Sequence, residues 1–409
     1  MTGKWLHKII LIPFIIAVSS GARGQSVFSL NYIGEHSFRG GARDAGLAYS
    51  SLALPDSAAA LTMNPASTAS LSRVTLGLNQ RIMFSTAVYG ENEASRNNYQ
   101  LPAVVVAFPV HEGLVFNLGY RTRFAGKVDF SIPGEVDGPG YGWTGSAVEE
   151  YSHNGSLYSV PLGMAWKINK WISVEAELHL ERGSIRDKIT ENLQNSEYSV
   201  ANSEIERSYS ATSYGFSLLA RLHSRLRLGA TYDGEINYSV NEKISYSLSE
   251  LNRRGSYDFN LPPMYGVSLA GGISARWWIS TAFWLREAPE AAGFEQFEDA
   301  LGDEKMISVG LERVAGTVSQ PFFTRIPIRI GYYQEYWHTE IPAGEPVISR
   351  FFTFGSGIEL PGGPGSVDFS FEFGRIGSSG ANGIEENVMR INISINVSEA
   401  WKRREGRRY

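Results

Sequence analysis

From Arg73 onward nearly every segment of this chain alternates apolar residues with small or polar ones. That period of two gives a strand with two chemically opposed faces, and it limits the chain to extended, paired structure. The last segment is the clearest. Met389, Ile391, Ile393, Ile395 and Val397 share one face, and Arg390, Asn392, Ser394 and Asn396 share the other. The preceding segment sets Val367, Phe369, Phe371 and Phe373 against Asp368, Ser370 and Glu372. Ile172, Val174, Ala176, Leu178 and Leu180 likewise oppose Ser173, Glu175, Glu177, His179 and Glu181.

Fourteen such segments fall between residues 73 and 398. Short connections at His111, Asn169, Ser224, Ala275 and Gly362-Gly363 alternate with long polar ones near 85–98, 127–154, 187–203, 247–256, 288–302, 337–348 and 377–384. An even strand number, short turns at one end and long loops at the other describe an up-and-down barrel of the outer membrane. Closure also satisfies every backbone group in hydrocarbon and leaves no free sheet edge. The rival is a soluble β-sandwich or a small ligand-binding barrel with its apolar face inward. The second faces argue against it, because Arg121, Glu175, Glu177, Arg221, Arg227, Glu312, Arg329, Asp368, Glu372 and Arg390 are too many charges for a sandwich exterior to pair. Trp166 and Trp171 beside Asn169-Lys170, and Trp277-Trp278 after Ala275, fit an interfacial aromatic girdle.

Met1 to Gly24 reads as an export signal. Lys4 and Lys8 precede an apolar run from Ile9 to Val18, and Ala22 and Gly24 place cleavage before Gln25. That run is too short for a bilayer-spanning helix, which needs about 20 residues. The expected organisation is therefore a signal peptide (1–24), an N-terminal plug (25–72), an all-β transmembrane barrel (73–398) and a basic tail (399–409). The plug assignment follows from its composition. Residues 25–72 are rich in Ala, Ser and Gly, lack strand alternation and cannot form a core of their own. Asp56 or Ser57 is expected to cap a short helix over Ala58–Met63, which Asn64-Pro65 then stops.

The run Gly40-Gly41-Ala42-Arg43-Asp44-Ala45-Gly46 through Asp56-Ser57-Ala58-Ala59-Ala60-Leu61-Thr62-Met63-Asn64-Pro65-Ala66 is similar to the N-terminal hatch of FadL/OMPP1/TodX outer-membrane transporters. The resemblance is specific over about residues 39–68 and architectural beyond them. It implies a fourteen-stranded barrel plugged by its N-terminus, passive uptake of long-chain fatty acids or similar hydrophobic compounds, and lateral release through the wall. It also implies that Asp56, Asn64, Pro65 and Ala66 anchor the plug. The basic ending Trp401-Lys402-Arg403-Arg404-Glu405-Gly406-Arg407-Arg408-Tyr409 resembles that of Bacteroidetes-type relatives, including the PorV component of type IX secretion. That likeness implies an alternative role, a protein-binding barrel that transports no small molecule.

Gly119 is the expected weak point of the wall, since a glycine within a strand often marks a bulge or bend. Tyr141, Trp143, Phe294, Phe297, Tyr336 and Trp337 are the aromatics expected to meet a hydrophobic ligand, or else to form the outer girdle. The expected partners are outer-membrane lipid and lipopolysaccharide, the apolar ligand, and a secretion or periplasmic protein reached by the tail. The expected location is the outer membrane of a Gram-negative bacterium. A net charge of −5 without a basic stripe argues against nucleic acid. The chain has no cysteine, so thiolate metal sites and thiol nucleophiles are excluded. Seven scattered histidines show no metalloprotease spacing, and there is no phosphate-binding or nucleophile-elbow motif. No enzyme, cofactor or metal is expected. His179, with Glu177 and Glu181 on its face, reads as polar lumen wall paired with arginines of the wall or plug.

Overall fold

A computed structural model describes residues 24–30, 33–56, 58–137, 144–193, 201–247, 252–289, 301–316, 320–342, 344–360 and 365–399. One antiparallel sheet closes on itself, its first strand pairing with its last from Val74–Glu399 to Val88–Glu385. Among the described residues the wall has fourteen strands. They are β1 (Val74–Tyr89), β2 (Asn92–His111), β3 (Leu114–Asp137), β4 (Thr144–Lys167), β5 (Ile172–Leu193) and β6 (Ala201–His223). Strand β7 is broken into Leu226–Asp233 and Ile236–Tyr246, and β8 into Arg253–Leu261 and Met264–Gly272. The remainder are β9 (Trp277–Arg286), β10 (Glu304–Arg313), β11 (Ile328–Glu340), β12 (Pro346–Glu359), β13 (Gly365–Gly377) and β14 (Glu385–Glu399). The signal segment before Gly24 and the tail beyond Glu399 lie outside the described residues.

The pleat points its apolar face outward. On β14 the Arg390, Asn392, Ser394 and Asn396 side chains are buried, with Ile391, Ile393 and Ile395 on the opposite face. Leu178, Phe216, Val267, Phe283, Ile307, Phe352 and Phe373 stand exposed around the exterior. A continuous apolar belt over a buried polar interior is the inverse of a soluble sandwich, and this is a transmembrane barrel. Trp166 and Trp171 are about half exposed beside the Asn169-Lys170 turn, as a girdle requires. Trp278 departs from that expectation. It is buried, and the Arg227 guanidinium lies 4.0 Å from its ring centre, because consecutive strand residues cannot share a face.

The wall is lopsided. Strands β9 and β10 have 10 residues each, which just spans a bilayer, whereas β3 and β4 have 24. At about 3.3 Å per residue the difference amounts to roughly 45 Å along the strand. Much of the sequence assigned to long loops at 85–98, 127–154 and 187–203 is in fact strand beyond the apolar belt. Its exposed edges carry ion pairs such as Arg186–Glu204 at 2.9 Å and Arg186–Glu206 at 3.1 Å. With polar residues on both faces, those stretches give no amphipathic signal.

Two irregularities shape the interior. A bulge at Arg123 lets consecutive Arg123 and Phe124 both point inward, switching the lining of β3 from charged to apolar. Strands β7 and β8 break side by side, at Gly234-Glu235 and Pro262-Pro263, which places Asp233 at the kink.

Candidate functional site

The described residues between 24 and 72 bond to inward-facing groups of the wall. The chain touches the wall near Asn97 and Lys127, where Gly24 N donates to Asn97 O and Gln25 N to Lys127 O. It then forms a two-residue strand, Glu35–His36, against Ala125 and Phe124 of β3. A helix α1 (Ala42–Gly46) follows, and Asp44 in its first turn accepts from Gly41 N through Oδ2 at 2.9 Å. Close approach explains its small residues. A Cβ on Gly46 would lie 2.8 Å from the Gly355 Cα, and one on Gly331 would lie 2.7 Å from the Ala48 Cβ.

The expected helix over Ala58–Met63 is absent, and the turn forms later, as a 3-10 helix over Pro65–Ser70. Pro65 opens this helix instead of stopping one. At the first helical position its missing N–H costs nothing and its fixed φ is already suitable. Asn64 is the cap, accepting from Ala66 N at 3.1 Å. Its Nδ2 also donates to Leu52 O at 2.9 Å within the plug and to Leu218 O of β6 at 2.8 Å. Ala66 is fully buried, and Asp56 accepts from Ala58 N at 2.9 Å while lying 3.7 Å from the Arg43 guanidinium. The four motif residues therefore divide their roles: Asn64 ties plug to wall, and Asp56 shapes a turn beside Arg43.

Ionic contacts fasten the plug in several directions. Arg39 reaches Glu177 of β5 at 2.7 Å and Asp233 at 3.5 Å. Asp233 is also held by Arg123 at 2.8 Å, and Arg123 bonds Glu181 at 2.9 Å and His179 Nδ1 at 2.6 Å. Arg43 makes a two-pronged pair with Glu312 of β10, at 3.0 and 2.8 Å, and Arg329 links that carboxylate to Asp368. Glu35 accepts from Arg390 of β14 at 2.5 Å, and His36 faces Glu304 of β10 at 2.5 Å. Tyr49 donates to Glu372 at 3.1 Å while accepting from Arg81 at 2.9 Å. Neutral bonds join them, including Ser50 to Ser280 at 2.7 Å and Thr353 to Gly46 O at 3.0 Å. The sequence hinted at this, because Glu35, His36, Arg39, Arg43 and Asp44 crowd ten residues of an otherwise small-residue segment.

Apolar clusters flank the charged belt. Ile33 of the plug packs with Phe124, Leu157, Ile185, Tyr209, Tyr238 and Phe259. Across the lumen Phe28, Phe38, Trp284, Met306, Phe351 and Trp337 form a second cluster with the plug. Of the aromatics expected to meet a ligand, Trp337 faces inward, 6.3 Å from Phe28 between ring centres. Tyr336, one residue along the pleat, faces outward and accepts from Gln334 at 2.8 Å, so it lines no internal path. Tyr141, Trp143, Phe294 and Phe297 lie outside the described residues. Gly119 pairs normally with Val105 of β2, but on its β4 side the ladder lapses between Leu118–Leu162 and Arg121–Ser159, where Pro161 has no N–H to give.

Solved structures share this architecture. A FadL homologue of Pseudomonas aeruginosa superposes with a TM-score of 0.63 at 11% identity, covering 90% of this chain and all of that one. The toluene transporter TbuX of Ralstonia pickettii gives 0.55 at 11%, covering 90% and 99%. The toluene transporter TodX of P. putida gives 0.52 at 12%, covering 89% and 99%. At such identities the likeness is one of fold, that of outer-membrane channels for hydrophobic compounds. No curated protein matches the chain. The hatch resemblance thus anticipated the fold but not the family, which a different model identifies: BamG matches residues 1–406, and the chain belongs to the BamG family.

Proposed function

We propose that this protein is a stoppered outer-membrane barrel that binds another protein of the cell envelope and passes no solute past its plug. The observation that carries the reading is the set of buried ion pairs fastening the plug to β5, β10 and β14. Displacing the plug requires all of these pairs to open together, and an apolar compound offers no charged or hydrogen-bonding group to replace any of them. A ligand shifts such an equilibrium only by binding the displaced state better, so an apolar compound has little with which to drive the plug out. The tall wall formed by β3–β6 supplies a large polar surface outside the membrane, which a pore has no need of and a protein partner can use.

A second reading is favoured by one observation. The lumen beside the charged belt is apolar, and the β3–β4 ladder lapses at Gly119 close to that belt. This arrangement suits a conduit in which a fatty acid or aromatic hydrocarbon enters from outside and leaves sideways while the plug stays in place.

One experiment separates the two readings. Ser50→Cys with Ser280→Cys joins plug to wall by a disulfide in a chain that has no other thiol. The protein-binding reading expects vesicles of wild-type or oxidised variant to admit oleate and toluene no faster than empty vesicles. It also expects shortening of the β5–β6 hairpin to abolish function in cells. Uptake above the empty-vesicle rate, unchanged by oxidation, establishes the sideways conduit instead.

A further inference from the structure

The plug strand Glu35–His36 lies against β3 on one side, and on the other His36 meets β10 and β11. His36 Nδ1 stands 2.5 Å from Glu304 Oε1, and one donor atom from each of His36, Glu304 and Glu335 lies within 4.8 Å of the other two. The His36 side chain is 7% exposed, Glu304 2% and Glu335 8%. His36 Nδ1 and Glu304 Oε1 are buried polar atoms that have each other and no further hydrogen-bond partner among the described residues. Glu304 and Glu335 bring two carboxylates to one dry point, and the single imidazole offsets only part of their mutual repulsion. A dication would turn that repulsion into coordination.

The surroundings are those of ligands held in place. Arg286 donates to the far oxygen of Glu304 at 3.0 Å, and Ser349 donates to Glu335 Oε2 at 3.1 Å, leaving the other oxygens for an ion. The His36 ring is set by Phe38 and Phe124, whose centres lie 4.6 and 5.2 Å away. The other histidine–carboxylate cluster, Glu177 with His179 and Asp233, has the opposite character. Arg39, Arg121 and Arg123 already neutralise it, so a cation gains little there.

We propose that His36, Glu304 and Glu335 bind one divalent transition-metal ion, clamping the plug strand to β10 and β11. The nitrogen-and-oxygen donor set points to Zn²⁺, whose ligands stand about 2.0–2.2 Å from the metal. Donors on one such ion lie roughly 3 Å apart, so His36 and Glu304 need to part by less than about 1 Å. Sequence spacing hides the site because its ligands come from three distant segments. The assignment stands apart from the protein-binding reading, since it concerns the plug's attachment alone.

The test uses the full mature chain in detergent, with zinc measured by elemental analysis after incubation with zinc sulfate and removal of free ion. The expected result is about one equivalent in the wild type and binding at least tenfold weaker in His36→Asn and Glu335→Gln. Co²⁺ should give visible ligand-field bands in the wild type that both variants lack. Resistance to detergent unfolding on unheated gels identifies variants whose barrel is intact. Wild-type zinc no higher than in the His36→Asn/Glu335→Gln double variant, or intact single variants that bind as tightly as wild type, overturns the proposal.

Discussion

Asn64 shows how much one side chain can hold in this molecule. Its amide accepts one bond and donates two, one of them to a backbone carbonyl of the wall, and it is 2% exposed. Asn64→Ala strands a buried N–H and two carbonyls, at about 1–3 kcal/mol each. The expected result is a plug several kcal/mol less stable, measured as faster proteolysis between Gly24 and Leu71 with the barrel still resistant to detergent. Asn64→Asp is expected to be worse than Asn64→Ala, because it replaces both donors with an anion facing two carbonyl oxygens. Glu312 offers a sharper contrast. It serves Arg43 and Arg329 together, so Glu312→Gln leaves two buried guanidinium groups underpaired, while Arg43→Met removes a charge and leaves the Arg329–Glu312 pair standing. Denaturant titration of plug release should rank Glu312→Gln as the more damaging, by about 2 kcal/mol or more.

At the scale of the element, Gly119 tests whether the lapse in the β3–β4 ladder is a working feature. A Cβ there would lie 2.6 Å from Val104 O and 3.0 Å from Val105 Cγ2, so Gly119→Val has to push β2 away from β3. The expected outcome is a lower yield of folded barrel, read from heat-modifiable mobility, with the plug pairs of the surviving fraction unchanged. The strands themselves were legible from the period-two pattern wherever one face meets lipid: β9, β10, β13 and β14 fall within one or two residues of the expected bounds. The extensions of β3 to β6 were not, because water wets both of their faces and removes the alternation. Small residues led the sequence to be read as a stopper over 25–72, and within it the turn forms at Pro65–Ser70 and not over Ala58–Met63, since the same Asn-Pro pair can close one helix or open the next. Its ion pairs were out of reach, because a charge in a strand reveals which face it takes but not which distant segment it meets.

Considered whole, the molecule is a cylinder with an acidic interior that receives an insert of mixed charge. Among the described residues the wall buries nine acids (Glu175, Glu177, Glu181, Glu304, Glu312, Glu335, Asp368, Glu372 and Glu386) against six arginines (Arg81, Arg121, Arg123, Arg286, Arg329 and Arg390). The plug answers both signs: it sends Arg39 and Arg43 to Glu177 and Glu312 within that excess, and Glu35 to Arg390 of the wall. Complementarity of this kind explains why a segment with no core of its own stays folded: the wall supplies its partners, and the insert relieves repulsion among the wall's carboxylates. Deleting residues 27–68 should therefore leave a barrel that still closes through the β1–β14 seam, whose backbone bonds do not involve the plug. Its lumen would fill with water, and the unbalanced carboxylates would be hydrated and ionised. In planar bilayers the intact protein is expected to be electrically silent. The deleted form is expected to conduct, with a reversal potential under a salt gradient on the cation-selective side and conductance through a ring of fixed negative charge. Anion selectivity in the deleted form would mean that the wall's arginines, not its acids, dominate the open lumen, and the charge argument for the plug would fail.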